Sequence, residues 1–505
     1  MSLVGLDIGT TGTKAVAFDR EGKVLATAYQ EYDMRSPEPG QLELDPEEVL
    51  GAVRKVLTEI AAQTKNDPPE SLGWSALGEA AVPVDSRGKP LAPAIIGFDC
   101  RGEEQARWLR ERISDQEVFA LTGHGINSFH TICKILWRRD SDPRLFRQTA
   151  KWLCFPDFFL ASLGLEPAID YSLAARTLLL DIHKGQWSEK LLELSGLEPE
   201  NLARPVPPGE PVGEIGPNDF GFPPSCVIGA GLHDQPAGIL GVGTGPGEAM
   251  YAIGTVVCLG VRLTARPDPG VMLRNNLCAY PTYGHGQLVS LAWNFTGGSL
   301  LKWYRDQFAY PEKEIAEKEG KDVYDLICSR IPERPASLLI LPYFTTTGTP
   351  YLDPRARGAI FGLHLTTRRE ELARAILEAV NYDIALNTEL LREAGVEISL
   401  YKAIGGAARS DVWMQIVADI LGKPVVTLRA TEGASWGAAL MGAKAAGIVT
   451  DPEELARQVA QPKKRYEPRK EYKEAYRRRF ALYRELYERN RDILHALSDL
   501  AQEGK

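Results

Sequence analysis

Four short segments of this chain carry residue types and spacings that could do chemistry. The first is Leu6-Asp7-Ile8-Gly9-Thr10-Thr11-Gly12-Thr13-Lys14, where an apolar strand delivers one carboxylate to a Gly/Thr turn and then continues as a second strand. Gly9 and Gly12 let backbone N–H groups approach an anion, Thr10, Thr11 and Thr13 add hydroxyl donors, and Lys14 adds a charge. Asp7 has the chemistry to hold the hydration shell of a magnesium ion. The same residues also satisfy an ordinary β-hairpin, so the segment needs partners elsewhere. The second segment, Ala249–Gly260, repeats the form, with Gly254-Thr255 between two apolar strands. Two such turns in successive domains, facing each other across a cleft, would grip the phosphates of one nucleotide.

The third segment is Gly231-Leu232-His233-Asp234-Gln235-Pro236-Ala237-Gly238, which places Asp234 where a strand ends and a helix begins. A carboxylate there could accept a proton from an alcohol or bind magnesium through water, and Gln235 could bond a neighbouring hydroxyl. The competing reading is that Asp234 only caps the helix, and His233 reads as packing. The fourth segment runs Ile404-Gly405-Gly406-Ala407-Ala408-Arg409-Ser410-Asp411. A Gly-Gly turn before a helix N-terminus admits the flat face of a nucleobase and its ribose because no Cβ blocks the approach; it is also what any tight strand-to-helix turn requires.

The elements that must position these residues are legible around them. A strand over 23–29 follows the opening hairpin, and Asp45 with Pro46 signals a helix whose apolar face is Val49, Leu50, Val53, Val56, Leu57 and Ile60. The stretch 204–212, rich in Pro and Gly, reads as a surface loop, and the Gly-rich run 241–247 as the junction between domains. Around Ser410 the pattern is strand, Gly-Gly turn, N-cap, helix, Gly422 stop and a strand over 424–428. The small residues of 433–443 predict a helix packed closely against a neighbour. From Tyr466 onward, Tyr472, Tyr476, Phe480, Tyr483, Leu486 and Tyr487 form the core-facing stripe of a long amphipathic helix. This is a mixed α/β layered architecture.

Bulk properties bound the function. The 505 residues exceed what one core fills, and 44% hydrophobic with 25% charged residues is ordinary globular composition. A net charge of -9 provides no basic surface for nucleic acid. The seven cysteines, Cys100, Cys133, Cys154, Cys226, Cys258, Cys278 and Cys328, are scattered singly, which indicates neither a zinc cluster nor a disulfide framework. No targeting or membrane-spanning stretch is evident, so a cytoplasmic location is expected. The absence of a GxxxxGK[ST] pattern and of GxGxxG spacing disfavours P-loop and Rossmann nucleotide sites.

Taken together, the two hairpins, the Asp234 loop and the Gly405-Gly406 turn resemble the FGGY family of carbohydrate kinases, and the resemblance runs from Leu3 to about Tyr487. Thr131–Trp137, Ile169–Asp181 and Gly348–Gly358 are similar to further family segments. The resemblance implies two ribonuclease-H-like domains of the actin/Hsp70 ATPase type flanking a cleft. The expected division is residues 1–246 for sugar binding and catalysis, 247–450 for ATP, and 451–505 as a helical tail. It implies ATP and Mg2+ as cofactors, Asp234 as the general base, and Asp7 with Asp234 placing the metal. Thr10, Thr11, Lys14, Gly254 and Thr255 would hold the phosphates, with Gly298, Gly405, Gly406 and Ser410 near the adenosine. Glu79, Asp99, Arg101 and Gln235 would join Asp234 around the acceptor, and a homodimer is compatible.

The chain departs from xylulokinases, which have Met-His near the Glu79 position, and from glycerol kinases, which have Arg before it. Neither substrate is inherited directly. The Glu79 carboxylate favours a neutral ketose, such as a pentulose, or a polyol, because an acidic sugar would meet repulsion. The alternative is an actin- or Hsp70-like ATPase acting through conformational change or partner binding, because the fold supports both uses.

Overall fold

The computed structural model describes all residues except 39, 100, 217–219, 430–431 and 504–505, and the side chains of 502 and 503; Cys100 therefore lies outside the described residues. The chain divides into two compact units. The first comprises Met1–Thr244, Cys278–Val289 and Glu432–Ala460; the second comprises Gly245–Leu277, Ser290–Thr431 and Gln461–Lys505.

The first unit is built on a six-stranded sheet ordered Pro211–Glu214, Val227–His233, Pro69–Ala76, Ser2–Ile8, Gly12–Phe18, Val24–Glu31. Ser2–Ile8, Pro69–Ala76 and Val227–His233 run parallel, so their C-terminal ends share one edge of the sheet. Gly12–Phe18 and Val24–Glu31 complete an antiparallel meander. The predicted helix is present as Pro46–Gln63, with the Asp45 side chain accepting from the N–H groups of Glu47 and Glu48. The stretch 204–212 is not a plain loop: it contributes the strands Arg204–Val206 and Pro211–Glu214. Proline is compatible with this because Pro211–Glu214 is an edge strand, where a missing N–H costs no ladder bond.

The helix Gly433–Ala445 lies on this sheet, as its small residues predicted. Its approach is so close that a Cβ on Gly5 would overlap the Ser435 carbonyl oxygen and one on Gly73 the Ala438 carbonyl oxygen. Only glycine in these strands allows a helix backbone to touch a sheet backbone, and the contact fixes both strands that lead to the site.

The second unit repeats the plan. Its seven-stranded sheet is ordered Tyr280–Pro281, Leu288–Asn294, Val257–Leu263, Glu248–Ile253, Leu400–Ile404, Val425–Leu428, Pro462–Tyr466. As in the first unit, an antiparallel hairpin is followed by two parallel strands and an antiparallel edge strand. The local pattern around Ser410 is as read: a 3-10 turn Gly406–Arg409, the helix Asp411–Leu421 with Ser410 as N-cap, and Gly422 in the left-handed conformation at its end. The long helix Lys473–Glu503 packs Tyr476, Tyr483 and Tyr487 into a core with Leu341, Tyr343 and Tyr382. Buried Asp383 accepts from Tyr343 at 2.9 Å, Asn294 at 2.9 Å and Tyr483 at 3.2 Å, which ties that helix to the body of the unit.

Candidate active site

Three carboxylates collect at the C-terminal edge of the parallel strands in the first unit. Asp7 is the second-last residue of Ser2–Ile8 and pairs in register with Lys14 on one side and Ser75 on the other. Glu79 follows the end of Pro69–Ala76, and Asp234 follows the end of Val227–His233. In an open parallel sheet this edge is where ligands bind.

Asp234 does not cap its helix. The helix Asp234–Gly241 has His233 at the N-cap, and Asp234 occupies the first helical position. Its side chain is 36% exposed, although dense protein surrounds it. Removal from water, and then the negative charges of Asp7 and Glu79, push its pKa up to about 7. Gln235 Oε1 has no hydrogen-bond partner among the described residues, and Asp234 Oδ1 has only the unaligned His233 ring nitrogen 3.1 Å away. The Asp7 carboxyl is also raised, mainly by burial, and the Ser75 hydroxyl donating to Oδ1 at 2.8 Å counters this. The Asp7 charge is among the causes that raise Asp234, so the two carboxylates lie close enough to share a divalent cation. No group of three or more His, Cys, Asp or Glu side chains suited to a metal occurs among the described residues. Magnesium keeps most of its waters and takes one or two carboxylates together with substrate phosphates, so it calls for no larger cluster.

Glu79 adopts a left-handed backbone conformation, φ 64°, which is uncommon for a residue with a side chain. Its carboxylate pairs with Arg176, the last residue of the short helix Tyr171–Arg176, and its carbonyl accepts from buried Lys134 at 3.0 Å. Burial lowers the Lys134 pKa to about 8. The side chains of Arg176 and Glu79 are 8% and 9% exposed. Arg176 Nε and Nη1 have no partner among the described residues, an expensive state for a buried guanidinium unless a ligand supplies acceptors. Because Arg176 cancels the Glu79 charge, repulsion from that carboxylate does not by itself decide the charge of the acceptor.

Asp99 and Arg101 are brought together but are largely spent on each other. Arg101 reaches Asp99 Oδ2 at 2.7 Å and Glu43 at 2.6 Å, and the Leu42 N–H donates to Asp99 Oδ2 at 2.6 Å. The Arg101 guanidinium also lies over the Trp137 ring at 4.9 Å. This arrangement braces the loop that carries them.

Of the residues assigned to phosphates, Lys14 pairs with Glu432, while Thr10 is half-buried and Thr11 exposed in the turn of the opening hairpin. The second unit assembles its own set. The Gly254-Thr255 turn accepts from the start of the helix Gly298–Phe308: Gly298 N–H bonds Gly254 O at 2.7 Å, and Gly297 N–H bonds Thr255 O at 3.0 Å. Gly405 has φ 90°, and a Cβ there would come within 2.5 Å of the Ile253 carbonyl oxygen. Gly254, Thr255, Gly298 and Gly405 are thus neighbours. Gly406 beside them has open space where a Cβ would stand. Ser410 Oγ caps its helix by accepting from Trp413 N at 3.3 Å and touches Cys328 Sγ at 3.4 Å.

Sequence reasoning passed over Arg176, Lys134 and Tyr280. A charged residue within the apolar run Leu173–Leu180 was the available signal for Arg176. Nothing local marks Tyr280, which reaches the site because residues 278–289 pack in the first unit.

Comparison with known proteins identifies the family. The profile of the FGGY family of carbohydrate kinases, N-terminal domain, matches residues 2–241, and that of the C-terminal domain matches residues 249–446. A gluconokinase from Bacillus subtilis (strain 168) is 30% identical over 455 residues, spanning 88% of this chain and 88% of that protein. A glycerol kinase from Halorhodospira halophila (strain DSM 244 / SL1) is 31% identical over 481 residues, 92% of each chain. The crystal structure of xylulose kinase from Rhodospirillum rubrum superposes with a TM-score of 0.87 at 26% identity, covering 98% of this chain and 100% of that one. The two repeated units have the actin/Hsp70-type ATPase fold, and the chain, a phosphotransferase with an alcohol group as acceptor, belongs to the FGGY family of carbohydrate kinases.

Proposed function

We propose that the chain transfers the γ-phosphoryl group of ATP to a hydroxyl of a neutral sugar, such as a pentulose, or of a polyol, with Asp234 as the general base. The observation that carries this reading is the Asp234 carboxyl: at a parallel strand end, uncapped, partly open to solvent and with a pKa near 7. A base of that strength is ionised in part at neutral pH and strong enough to take a hydroxyl proton as the oxygen attacks phosphorus. Around it, Arg176 Nε–H and Nη1–H await acceptors while Gln235 Oε1 awaits a donor. A hydroxyl is both donor and acceptor, so a polyhydroxylated ligand satisfies all of them.

Asp7 and Asp234 would hold magnesium, which when bound offsets the charge that builds on the transferring phosphoryl group. Thr10, Thr11, Lys14 and the Gly254-Thr255 turn would contact the phosphates, and Gly298, Gly405, Gly406 and Ser410 the nucleoside. In this reading residues 1–246, joined in the first unit by 278–289 and 432–460, carry the acceptor and the base, the rest of 247–450 carries ATP, and 461–505 complete the second unit.

An aldonate acceptor is a second reading, favoured by the cancellation of Glu79 by Arg176 and by the two free N–H groups of that guanidinium. The test is ADP release with ketopentoses, ketohexoses, polyols and aldonates. Turnover with one class identifies the acceptor, and ATP hydrolysis indifferent to every candidate would overturn the kinase reading. Asp234→Asn is expected to abolish useful turnover while ATP still binds.

A further inference from the structure

The base candidate has a neighbour that is more than packing. His233 Nε2 lies 3.1 Å from Asp234 Oδ1, and on the far side of the same ring Nδ1 lies 2.9 Å from the Tyr280 hydroxyl. The Nε2 contact has the distance but not the alignment of a hydrogen bond, as is common at catalytic groups before substrate arrives. The ring has little freedom to leave this position. Its backbone N–H donates to Ser172 Oγ at 2.8 Å, and Ser172 donates to buried Asp170 at 2.5 Å. A Cβ on Gly78 would come within 3.1 Å of Nε2, so the Gly78 backbone forms one wall of the slot. Tyr280 is fixed as well: it is buried, pairs antiparallel with Val289, and the N–H of Ala279 before it donates to Gly123 O at 2.8 Å.

A neutral imidazole carries one N–H, and the groups facing its two nitrogens decide which one. With that proton on Nδ1, the Nε2 lone pair would face a carboxylate oxygen, which is repulsive. With Tyr280 O–H donating to Nδ1, the proton stands on Nε2 and faces the carboxylate as a donor. With Asp234 ionised, as a base must be, only the second tautomer satisfies all three groups.

We propose that Tyr280 and His233 are positioning residues for the base: the tyrosine hydroxyl selects the Nε2–H tautomer, and that N–H holds the Asp234 carboxylate in the orientation that meets the acceptor hydroxyl. This rests on the reading of Asp234 as the base.

The experiment uses the full chain with 15N-labelled histidine, whose seven side chains are few enough to assign, together with steady-state kinetics on the acceptor that gives ADP release. Wild type is expected to show His233 as a single Nε2–H tautomer and Tyr280→Phe a mixture, with kcat lowered about ten-fold, in the range seen when a supporting hydrogen bond is removed, and acceptor KM little changed. His233→Gln, whose amide N–H reaches towards the same oxygen, is expected to keep most of kcat, and His233→Leu to lose it. A wild-type His233 carrying its proton on Nδ1 overturns the proposal without recourse to any variant. So does a Tyr280→Phe enzyme with unchanged kcat, or His233→Leu and His233→Gln behaving alike. If instead Asp234→Asn remains active, the base reading fails while the tautomer result still stands, so the two failures are distinguishable.

Discussion

Removing the Arg176 guanidinium should cost far more than removing its ion pair as a unit. The Arg176 and Glu79 side chains are 8% and 9% exposed, so Arg176→Met leaves a carboxylate with little water and with Asp234 nearby. At a separation of about 3 Å and an effective dielectric of about 20, the lost attraction is roughly 5 kcal/mol. Measured losses on breaking buried pairs run about 3–5 kcal/mol. A domain's whole stability is about 5–15 kcal/mol, so the first unit should lose on the order of 10 °C in its melting transition. Glu79→Gln orphans the guanidinium in turn and should be costly for the same reason. The double variant removes both charges and should recover roughly 5 kcal/mol relative to the sum of the singles, the size of the attraction each single variant forfeits.

The assay is urea unfolding followed by tryptophan fluorescence, with the transitions of the two units fitted separately because a single two-state fit does not apply to such a chain. Acceptor KM, measured in parallel, should rise in both single variants. An Arg176→Met cost below about 1 kcal/mol, or a double variant equal to the sum of the singles, would refute the claim that this pair is buried and coupled.

Other expectations follow from single features of the structure. Asp234→Asn should lower kcat by about 10²- to 10⁴-fold with ATP affinity retained in calorimetry, and near-normal turnover would remove Asp234 from its role. Because the base works only when ionised and its pKa is raised to about 7, kcat/KM should climb with pH up to about 7 and then level off. A limb near pH 4 would contradict that. The same shift has a sign for stability: the folded carboxyl keeps its proton between its unfolded value and about 7, so its contribution to stability falls as pH rises across that window. Gly73→Ala places a methyl group on the Ala438 carbonyl oxygen and should cost about 1–3 kcal/mol in the melting of the first unit. An unchanged melting temperature would show that the helix Gly433–Ala445 is free to move away.

Local features were legible in the sequence because their causes are local. The Asp45 cap, the Gly422 stop, the Gly/Thr turns and the small-residue helix each follow from steric or hydrogen-bonding preferences acting within a few residues. The Pro/Gly-rich stretch 204–212 was misread as a loop because composition cannot show that a sheet edge tolerates proline. Asp7 and Asp234 were legible from the apolar strands that precede them, and Glu79 only through the family resemblance of its segment. Asp99 and Arg101 were legible as residues but not as partners of each other and of Glu43.

By itself, then, the sequence determined the repeated hairpin plan, the kinase family to which it belongs and the carboxylates available for chemistry. Tertiary structure alone decided that Arg176 neutralises Glu79, that Asp7 and Glu79 raise the pKa of Asp234, and that Tyr280 stands behind His233. The physical reason is that charge, proton position and desolvation depend on groups within a few ångströms in space. The chain separates His233 from Tyr280 by 47 residues, a distance over which neither periodicity nor spacing carries a signal.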